Sequence, residues 1–333
     1  MCLKANIYEE RKELFIFLAV TYGLPFLMTI PMAILFHLGR DLTNFMYAQA
    51  FYPAAGLISA KLICIEDKNL MPKRFFYGFL GLTGIMILWC FTGFLPDNIK
   101  LSSPLMIITI VIAVLYFLEK KENLYAYKLV GENWMSSGLL LVLFVVIFYL
   151  DIFIVNLVIG ELPELMERFS LVNFPSFLAI SICCFSLYLG EEYGWRCYFQ
   201  PFLQHRFGII KGVLFFGVLW EFWHLPILIF IYAPTTPNIS FIQLVLFRYV
   251  SVILLAIFMA YAYMRTNNVW VPILVHFLQN NLGFFIIGED SEFTWMTLGI
   301  LILSKTILFL PFLFSKVFRQ QVDIERDERT MLP

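Results

Sequence analysis

The chain has 333 residues, of which 61% are hydrophobic, 18% aromatic and 14% charged, and its formal net charge is -1 at pH 7. Soluble domains average roughly half apolar and a quarter charged residues, so this composition indicates a membrane protein. The near-neutral charge excludes electrostatic binding of nucleic acid. The six cysteines lie mostly in or beside apolar runs, without metal-ligand spacing, which favours buried thiols over a disulfide framework.

Apolar runs recur along almost the whole chain. A bilayer core about 30 Å thick needs roughly 20 residues per helix, and backbone polar groups in lipid must bond within their own segment. The sequence therefore predicts an all-α polytopic membrane protein with about ten transmembrane helices. The predicted spans lie near residues 13–36, 43–65, 75–95, 101–118, 137–160, 172–192, 208–232, 240–264, 269–288 and 293–315.

Lysine and arginine are distributed unevenly between the loops. When the spans alternate in direction, 17 of these cations fall on the side of both termini and 3 on the other. Cytoplasmic loops carry the excess of positive charge, so both termini are predicted to be cytoplasmic. The first apolar run is too long for a cleaved signal peptide and is predicted to be a retained span.

Several charged residues lie within the predicted spans, where they are costly and often functional. Lys61 and Lys305 lie near the cytoplasmic ends, so their ammonium groups are expected to reach the interface. Asp151 and Arg248 are more central, and we interpret them as a structural pair between helices. A catalytic or ion-coupling role is the alternative for these two residues.

The sixth span ends in a charged cluster, "GEEYGWRCYFQP", at residues 190–201. On a helix, Glu192 and Arg196 are four residues apart and predicted to form an ion pair. Glu191 then points about 100° away and is available for chemistry. The competing interpretation is that both acids only terminate the span at the membrane interface.

Two further clusters place histidines in apolar spans. In "LWEFWHLP", Trp220 and His224 share a helix face, and in "LVHFLQNNLG", His276 and Asn280 are one turn apart. A single histidine in a span is often only a packing residue. Two histidines and a glutamate pair in three separate spans favour a functional site instead.

These residue types suit hydrolysis by an activated water. A glutamate in an apolar pocket holds its proton more tightly than one in water and acts as a general base near neutral pH. Histidines and an amide orient water, donate protons or stabilise an oxyanion. The sequence has no G-x-S-x-G nucleophile motif. Two histidines and a glutamate also form a possible zinc ligand set, and this alternative stays open on the residues alone.

The three clusters resemble the EExxxR, FxxxH and HxxxN/D motifs of the CPBP family, also called the Abi family. This family contains CAAX prenyl endopeptidases related to eukaryotic Rce1 and bacteriocin-processing or self-immunity proteins. Trp220 replaces the phenylalanine of the second motif, although "WEFWHLP" resembles the form of many bacterial members. The resemblance covers about residues 180–290.

The resemblance implies an intramembrane endopeptidase on a helical bundle whose cavity opens to the cytosol and the membrane. Glu191 would activate water with help from His224, and His276 and Asn280 would stabilise the oxyanion. Glu192, Arg196 and Trp220 would support this geometry. No cofactor is expected, since the resemblance favours a glutamate mechanism without zinc. The expected partners are membrane lipid and a peptide or lipidated protein substrate.

The resemblance also divides the chain into expected parts. Residues 1-165 are expected to hold N-terminal helices of unassigned role, residues 166-316 the protease core, and residues 317-333 a cytoplasmic tail. Two alternatives from other classes are a non-catalytic scaffold or self-immunity protein, and a transporter that uses Asp151, Arg248 and the glutamates. The lack of an internal repeat argues against the transporter.

Overall fold

A computed structural model describes residues 2–65, 69–96, 103–168, 174–285 and 293–319. The described residues form helices without any β-strand, which confirms the predicted all-α class. The α-helices are α1 (Cys2–Leu18), α2 (Leu24–His37), α3 (Thr43–Gln49), α4 (Tyr52–Cys64), α5 (Lys73–Cys90), α6 (Leu105–Phe117), α7 (Lys121–Ala126), α8 (Trp134–Ile159), α9 (Leu162–Arg168), α10 (Phe174–Gly194), α11 (Gln200–Phe207), α12 (Ile209–Trp223), α13 (Leu225–Ile227), α14 (Ala233–Thr235), α15 (Phe241–Thr266), α16 (Trp270–Asn281) and α17 (Trp295–Phe309).

Five continuous helices of the described chain are long and apolar enough to cross a membrane. They are Glu10–His37, Lys73–Phe94, Trp134–Ile159, Phe241–Thr266 and Trp295–Phe314. Two bent helix pairs, within Phe174–Phe207 and Ile209–Thr235, raise the number to seven if each counts as one crossing. The chain is thus an integral, multi-pass membrane protein, and seven of the predicted spans correspond to these segments.

The other three predicted spans coincide with shorter helices. The span near 43–65 is divided into α3 and α4 at Ala50 and Phe51, and the span near 101–118 is the thirteen-residue α6. The span near 269–288 begins as the twelve-residue α16, and its last residues lie outside the described part of the chain. The count of ten and the cytoplasmic placement of both termini therefore stay predictions.

The chain divides into two compact units. Unit 1 comprises Met1–Val130, Ala179–Tyr198 and Leu225–Pro234, and unit 2 comprises Gly131–Leu178, Phe199–His224 and Thr235–Pro333. Most of α10 thus belongs with the N-terminal helices rather than with the later motifs. The expected boundary at residue 165 stays a prediction, as does the tail, of which only residues 317–319 are described.

In unit 1, α4 packs between α1 and α5, and α6 lies against α5. A π-helical turn at Ala19–Gly23 joins α1 to α2 and also packs on α4. The core at this point is largely aromatic, with Phe51 and Phe79 in contact at a ring-centroid distance of 5.5 Å. The segment of α10 that belongs to the unit lies close to Ala50, Phe51 and Pro53.

In unit 2, α15 is the central helix and packs against α8, α12, α16 and α17. It begins at a capping box, in which the Gln243 backbone N–H donates to Ser240 Oγ and Gln243 Oε1 accepts from the Ser240 N–H. It ends where Asn267 adopts a left-handed conformation, with φ of 50°. These local signals fix both ends of a 26-residue apolar helix.

Polar side chains connect the loop after α15 to the start of α8. Asn133 Nδ2 donates to the Thr266 carbonyl at 2.9 Å. Asn268 Nδ2 donates to the Glu132 carbonyl at 2.8 Å and to Ser137 Oγ at 3.1 Å. Because Asn268 precedes α16 by two residues, these bonds fix the position from which that helix starts.

The predicted pair of Asp151 with Arg248 is wrong, and Lys305, which was expected to reach the interface, is the partner of Asp151. Lys305 Nζ donates to Asp151 Oδ2 at 2.7 Å and joins α17 to α8, so the ammonium group is held in the helix bundle. Arg248 binds Glu221 instead. Sequence position does not show which helices are neighbours, and α17 is the helix that packs beside Asp151 on α8. In unit 1, Lys61 forms an ion pair with Glu13.

Candidate active site

The first part of the candidate site lies on α10 and the π-helical turn Trp195–Phe199 that follows it. Arg196 Nε donates to Glu192 Oε2 at 2.7 Å, and neither side chain is exposed to solvent. This confirms the ion pair predicted from the i,i+4 spacing. A charge-assisted bond at full burial neutralises both groups and fixes their rotamers.

Glu191 is also buried, so the glutamate pair does not simply mark an exposed helix end. A carboxylate oxygen of Glu191 lies within 4.8 Å of one of Glu192, although successive helical residues point about 100° apart. The two carboxylates are therefore neighbours rather than groups in separate environments. The hypothesis that both acids only terminate the span at the interface stays an alternative.

Two glycines let the backbone of α10 lie very close to the end of α3 and the start of α4 in unit 1. A Cβ added at Gly190 would lie 2.5 Å from the Ala50 carbonyl oxygen, and one at Gly194 would overlap the backbone of Pro53. Both glycines flank the glutamate pair. Their missing side chains thus determine how close Glu191 and Glu192 lie to the segment that joins α3 to α4.

Aromatic and polar contacts further fix α10 within unit 1. The Trp195 ring packs edge-on against Phe17 and Tyr22, each at 6.1 Å between centroids. The Tyr193 hydroxyl donates to the Tyr127 carbonyl at 3.1 Å. The residues around the carboxylates are therefore held by contacts on several sides.

In unit 2, His224 caps the C-terminal end of α12. Its backbone N–H donates to the Glu221 carbonyl at 3.0 Å, and Pro226 follows two residues later. The buried imidazole has its Nδ1 3.0 Å from the carbonyl oxygen of Trp220. A carbonyl only accepts hydrogen bonds, so Nδ1 carries a proton in this contact and neutral His224 keeps its lone pair on Nε2.

Trp220 lies beside both histidines of the predicted set. Its ring is 5.4 Å from that of His276 at a near-perpendicular angle of 83°, and 6.3 Å from that of His224. Trp223 contacts His224 from another side at 4.7 Å. Unit 2 therefore brings the second and third motifs together around one buried indole, and the supporting role expected for Trp220 stays a prediction.

The third motif begins at buried His276 on α16, but Asn280 is exposed one turn later. The adjacent Asn281 is the buried amide, and its Nδ2 donates to the Phe277 carbonyl at 2.8 Å. This bond uses Asn281 within its own helix. Asn280 keeps an exposed amide near the end of α16, and its proposed contact with an oxyanion stays a prediction.

A buried pair beside His224 was missed as part of the site. Arg248 on α15 donates through Nε to Glu221 Oε1 at 2.6 Å and through Nη2 to Glu221 Oε2 at 3.1 Å. Glu221 Oε2 is 3.6 Å from His224 Nδ1. The i,i+3 spacing of Glu221 and His224 was a usable signal, whereas Arg248 comes from another helix and has no local signal.

The region that contains these residues is similar to known prenyl endopeptidases. Residues 173–282 match the family model described as type II CAAX prenyl endopeptidase Rce1-like. This match supports the resemblance of residues 173–282 to the CPBP family. A CAAX prenyl protease 2 from Methanococcus maripaludis is 30% identical over 124 residues, which are 36% of this chain and 45% of that protein. The aligned part is thus less than half of that relative, and no solved structure matches the chain.

The segment that matches the family model contains all seven predicted site residues. It begins before Glu191 and ends after Asn280, so the three clusters fall inside the part of the chain that the family model describes. It also includes Glu221 and Arg248. All of the preceding helices, α1 to α9, lie outside the match.

We expect the substitution Gly194→Ala to destabilise the protein. The new methyl group would overlap the Pro53 backbone, and overpacking of this kind costs about 1–3 kcal/mol. Thermal unfolding of the detergent-purified variant should show a lower midpoint than wild type. Gly84→Ala in α5 is the matched control, because no atom lies within 4 Å of its added Cβ. Equal midpoints for both variants would contradict the close approach at Gly194.

Proposed function

We propose that the chain is an intramembrane endopeptidase that hydrolyses a peptide or a lipidated, membrane-anchored protein. The observation that carries this proposal is the Rce1-like match, which includes every motif residue from Glu191 to Asn280. Hydrolysis at membrane depth requires ionisable groups in buried positions. Glu191, His224 and His276 are all buried, which supports the proposal.

Glu191 is the proposed general base. Its carboxylate removes a proton from a water molecule as the water oxygen attacks the carbonyl carbon of the scissile bond. The electron pair of the carbonyl moves to its oxygen and forms the tetrahedral oxyanion. When the C–N bond breaks, the protonated Glu191 returns its proton to the leaving nitrogen, which regenerates the carboxylate.

The two histidines have different proposed roles. His224, with its proton on Nδ1, presents the Nε2 lone pair and accepts a hydrogen bond from the attacking water. His276 and Asn280 donate hydrogen bonds to the oxyanion. Glu192 forms an ion pair with Arg196, and Glu191 is the proposed acid for proton transfer.

The proposed substrate is a peptide or prenylated protein presented near the cytoplasmic face. The family description and the name of the Methanococcus maripaludis relative both refer to CAAX prenyl proteases. A CAAX sequence ends in Cys-a-a-X, and its cysteine carries a prenyl group. The cytoplasmic placement follows from the excess of lysine and arginine on one side of the spans.

The first test is cleavage of a fluorogenic peptide that ends in an S-farnesyl Cys-a-a-X sequence. We expect purified wild-type protein in lipid nanodiscs to cleave it, and Glu191→Gln or His276→Ala to reduce kcat about 100- to 10,000-fold. Loss of a proton-transfer or oxyanion group lowers the rate of the chemical step. Retention of full activity by Glu191→Gln would contradict the proposal.

The matched control is the double substitution Asp151→Asn with Lys305→Met, called the α8–α17 control variant. It removes a buried ion pair of unit 2 that contains no motif residue. We expect it to cleave at the wild-type rate. The same peptide without farnesyl tests the substrate class: cleavage at an equal rate would indicate a peptidase that does not require the lipid.

We also expect the activity to be independent of zinc. Incubation with 1,10-phenanthroline or EDTA should leave the rate of farnesyl-peptide cleavage unchanged, because the proposed nucleophile is a water activated by a carboxylate. Elemental analysis of the active protein should find far less than one zinc per chain. Activity that is lost on chelation and restored by added zinc would identify the metal-dependent alternative.

A further inference from the structure

Glu221 and Arg248 form a bidentate ion pair beside His224. Both carboxylate oxygens of Glu221 accept from the Arg248 guanidinium, and the Glu221 side chain is fully buried. Arg248 is mostly buried as well, with 21% of its side chain exposed. Such a fork fixes the orientation of a carboxylate more strictly than one hydrogen bond does.

The close packing of α12 on α15 places this pair. A Cβ added at Gly217 would lie 2.9 Å from the Ile253 Cα, so the two backbones nearly touch at this glycine. Glu221 lies one turn further along α12, and Arg248 lies in the opposite sequence direction along α15. The helices are thus antiparallel here, and the register set at Gly217 brings the carboxylate opposite the guanidinium.

Glu221 also lies close to the imidazole of His224. The distance from Glu221 Oε2 to His224 Nδ1 is 3.6 Å. This distance is too long for a good hydrogen bond but short enough for a substantial electrostatic interaction. The Trp220 carbonyl oxygen lies 3.0 Å from the same nitrogen. Nδ1 therefore faces two groups that only accept hydrogen bonds, and both favour a proton on this atom.

We propose that Glu221 and Arg248 are positioning residues for His224. This proposal rests on the proposed peptidase function. Arg248 holds the Glu221 carboxylate, and the carboxylate keeps the imidazole with its proton on Nδ1 and its lone pair on Nε2. The lone pair then points to the attacking water. Neither Glu221 nor Arg248 contacts the substrate in this scheme.

The substitution Glu221→Gln would remove this preference for a proton on His224 Nδ1. The glutamine amide has N–H groups that can donate to Nδ1, so the imidazole gains access to the opposite tautomer, with its proton on Nε2. A carboxylate that orients a catalytic histidine is known to act through the tautomer in serine proteases. The same physical reasoning predicts a slower chemical step here with little change in substrate binding.

The α8–α17 control variant separates positioning from simple stabilisation. Asp151–Lys305 is also a buried ion pair between helices of unit 2, with an N–O distance of 2.7 Å. Within the described residues, this pair joins Asp151 to Lys305 and includes no motif residue. If Glu221–Arg248 only stabilised the bundle, its removal and the removal of Asp151–Lys305 would have the same consequences for His224.

The test combines Glu221→Gln with Arg248→Met, so that no uncompensated buried charge remains. Nitrogen NMR of protein labelled with 15N-histidine reports the protonation of each ring nitrogen. The chain has only four histidines, and His224→Gln identifies the signals of His224. We expect one His224 tautomer, protonated on Nδ1, in wild type and in the α8–α17 control variant, and two tautomers in the Glu221→Gln/Arg248→Met protein.

Cleavage of the farnesylated peptide gives the second readout. We expect kcat of the Glu221→Gln/Arg248→Met protein to fall about 10- to 100-fold, as for other groups that orient a functional histidine, with KM within about threefold of wild type. Arg248→Lys is the second variant if the double substitution prevents folding. It keeps the positive charge but loses the bidentate hydrogen bonding to Glu221, so an intermediate loss of kcat is expected.

A wild-type tautomer and kcat in the folded double variant would overturn the positioning role, while loss of cleavage in His224→Ala would still support the peptidase. Equal shifts of the His224 signals in the α8–α17 control variant would also overturn it. If Glu191→Gln and His276→Ala both keep wild-type cleavage, the peptidase mechanism fails. The NMR comparison still decides how Glu221 acts on His224, because it needs no substrate.

Discussion

The described structure depends on the pairing of charges buried among apolar helices. An isolated ion in such surroundings is strongly unfavourable, and removing one member of a buried pair typically costs about 3–5 kcal/mol. Glu192–Arg196, Glu221–Arg248 and Asp151–Lys305 each satisfy this constraint inside a single unit. Because each group needs its partner at a bonding distance, Glu221–Arg248 and Asp151–Lys305 also fix the register of the helices that they join.

Two of these pairs lie directly beside proposed catalytic groups. Glu192, a member of the first pair, directly follows Glu191 in the sequence, and Glu221, a member of the second pair, lies next to His224. The glycines around the glutamate pair and Gly217 on α12 add close backbone contacts to the same segments. Functional groups are most accurately oriented when rigid helices carry them and neighbouring side chains hold their rotamers. The ion pairs therefore link the stability of the folded protein to the proposed chemistry.

Much of the architecture was predictable because its signals are local. Apolar runs predict helices whatever they pack against, and the i,i+4 spacing alone predicts the Glu192–Arg196 pair. The histidines were found because an imidazole is unusual in an apolar span. These arguments need no knowledge of which helices are neighbours.

The partners of Asp151 and Arg248 were not predictable in this way. Lys305 and Glu221 lie 154 and 27 residues away along the chain, and only the helix arrangement selects them over other buried charges. The division of the span near 43–65 is also a packing effect, since the segment around Ala50 accommodates the glycines of α10. Spacing on an ideal helix likewise could not show that Asn280 would be exposed and Asn281 buried.

The most direct test of the central claim compares membrane peptides from cells that natively carry this chain. One culture produces the wild-type protein and the other an equal amount of Glu191→Ala. The account predicts that specific membrane-associated proteins or peptides are cleaved at a defined position only in the wild-type culture. Identical cleavage products in both cultures, with both proteins present in the membrane, would contradict Glu191-dependent proteolysis.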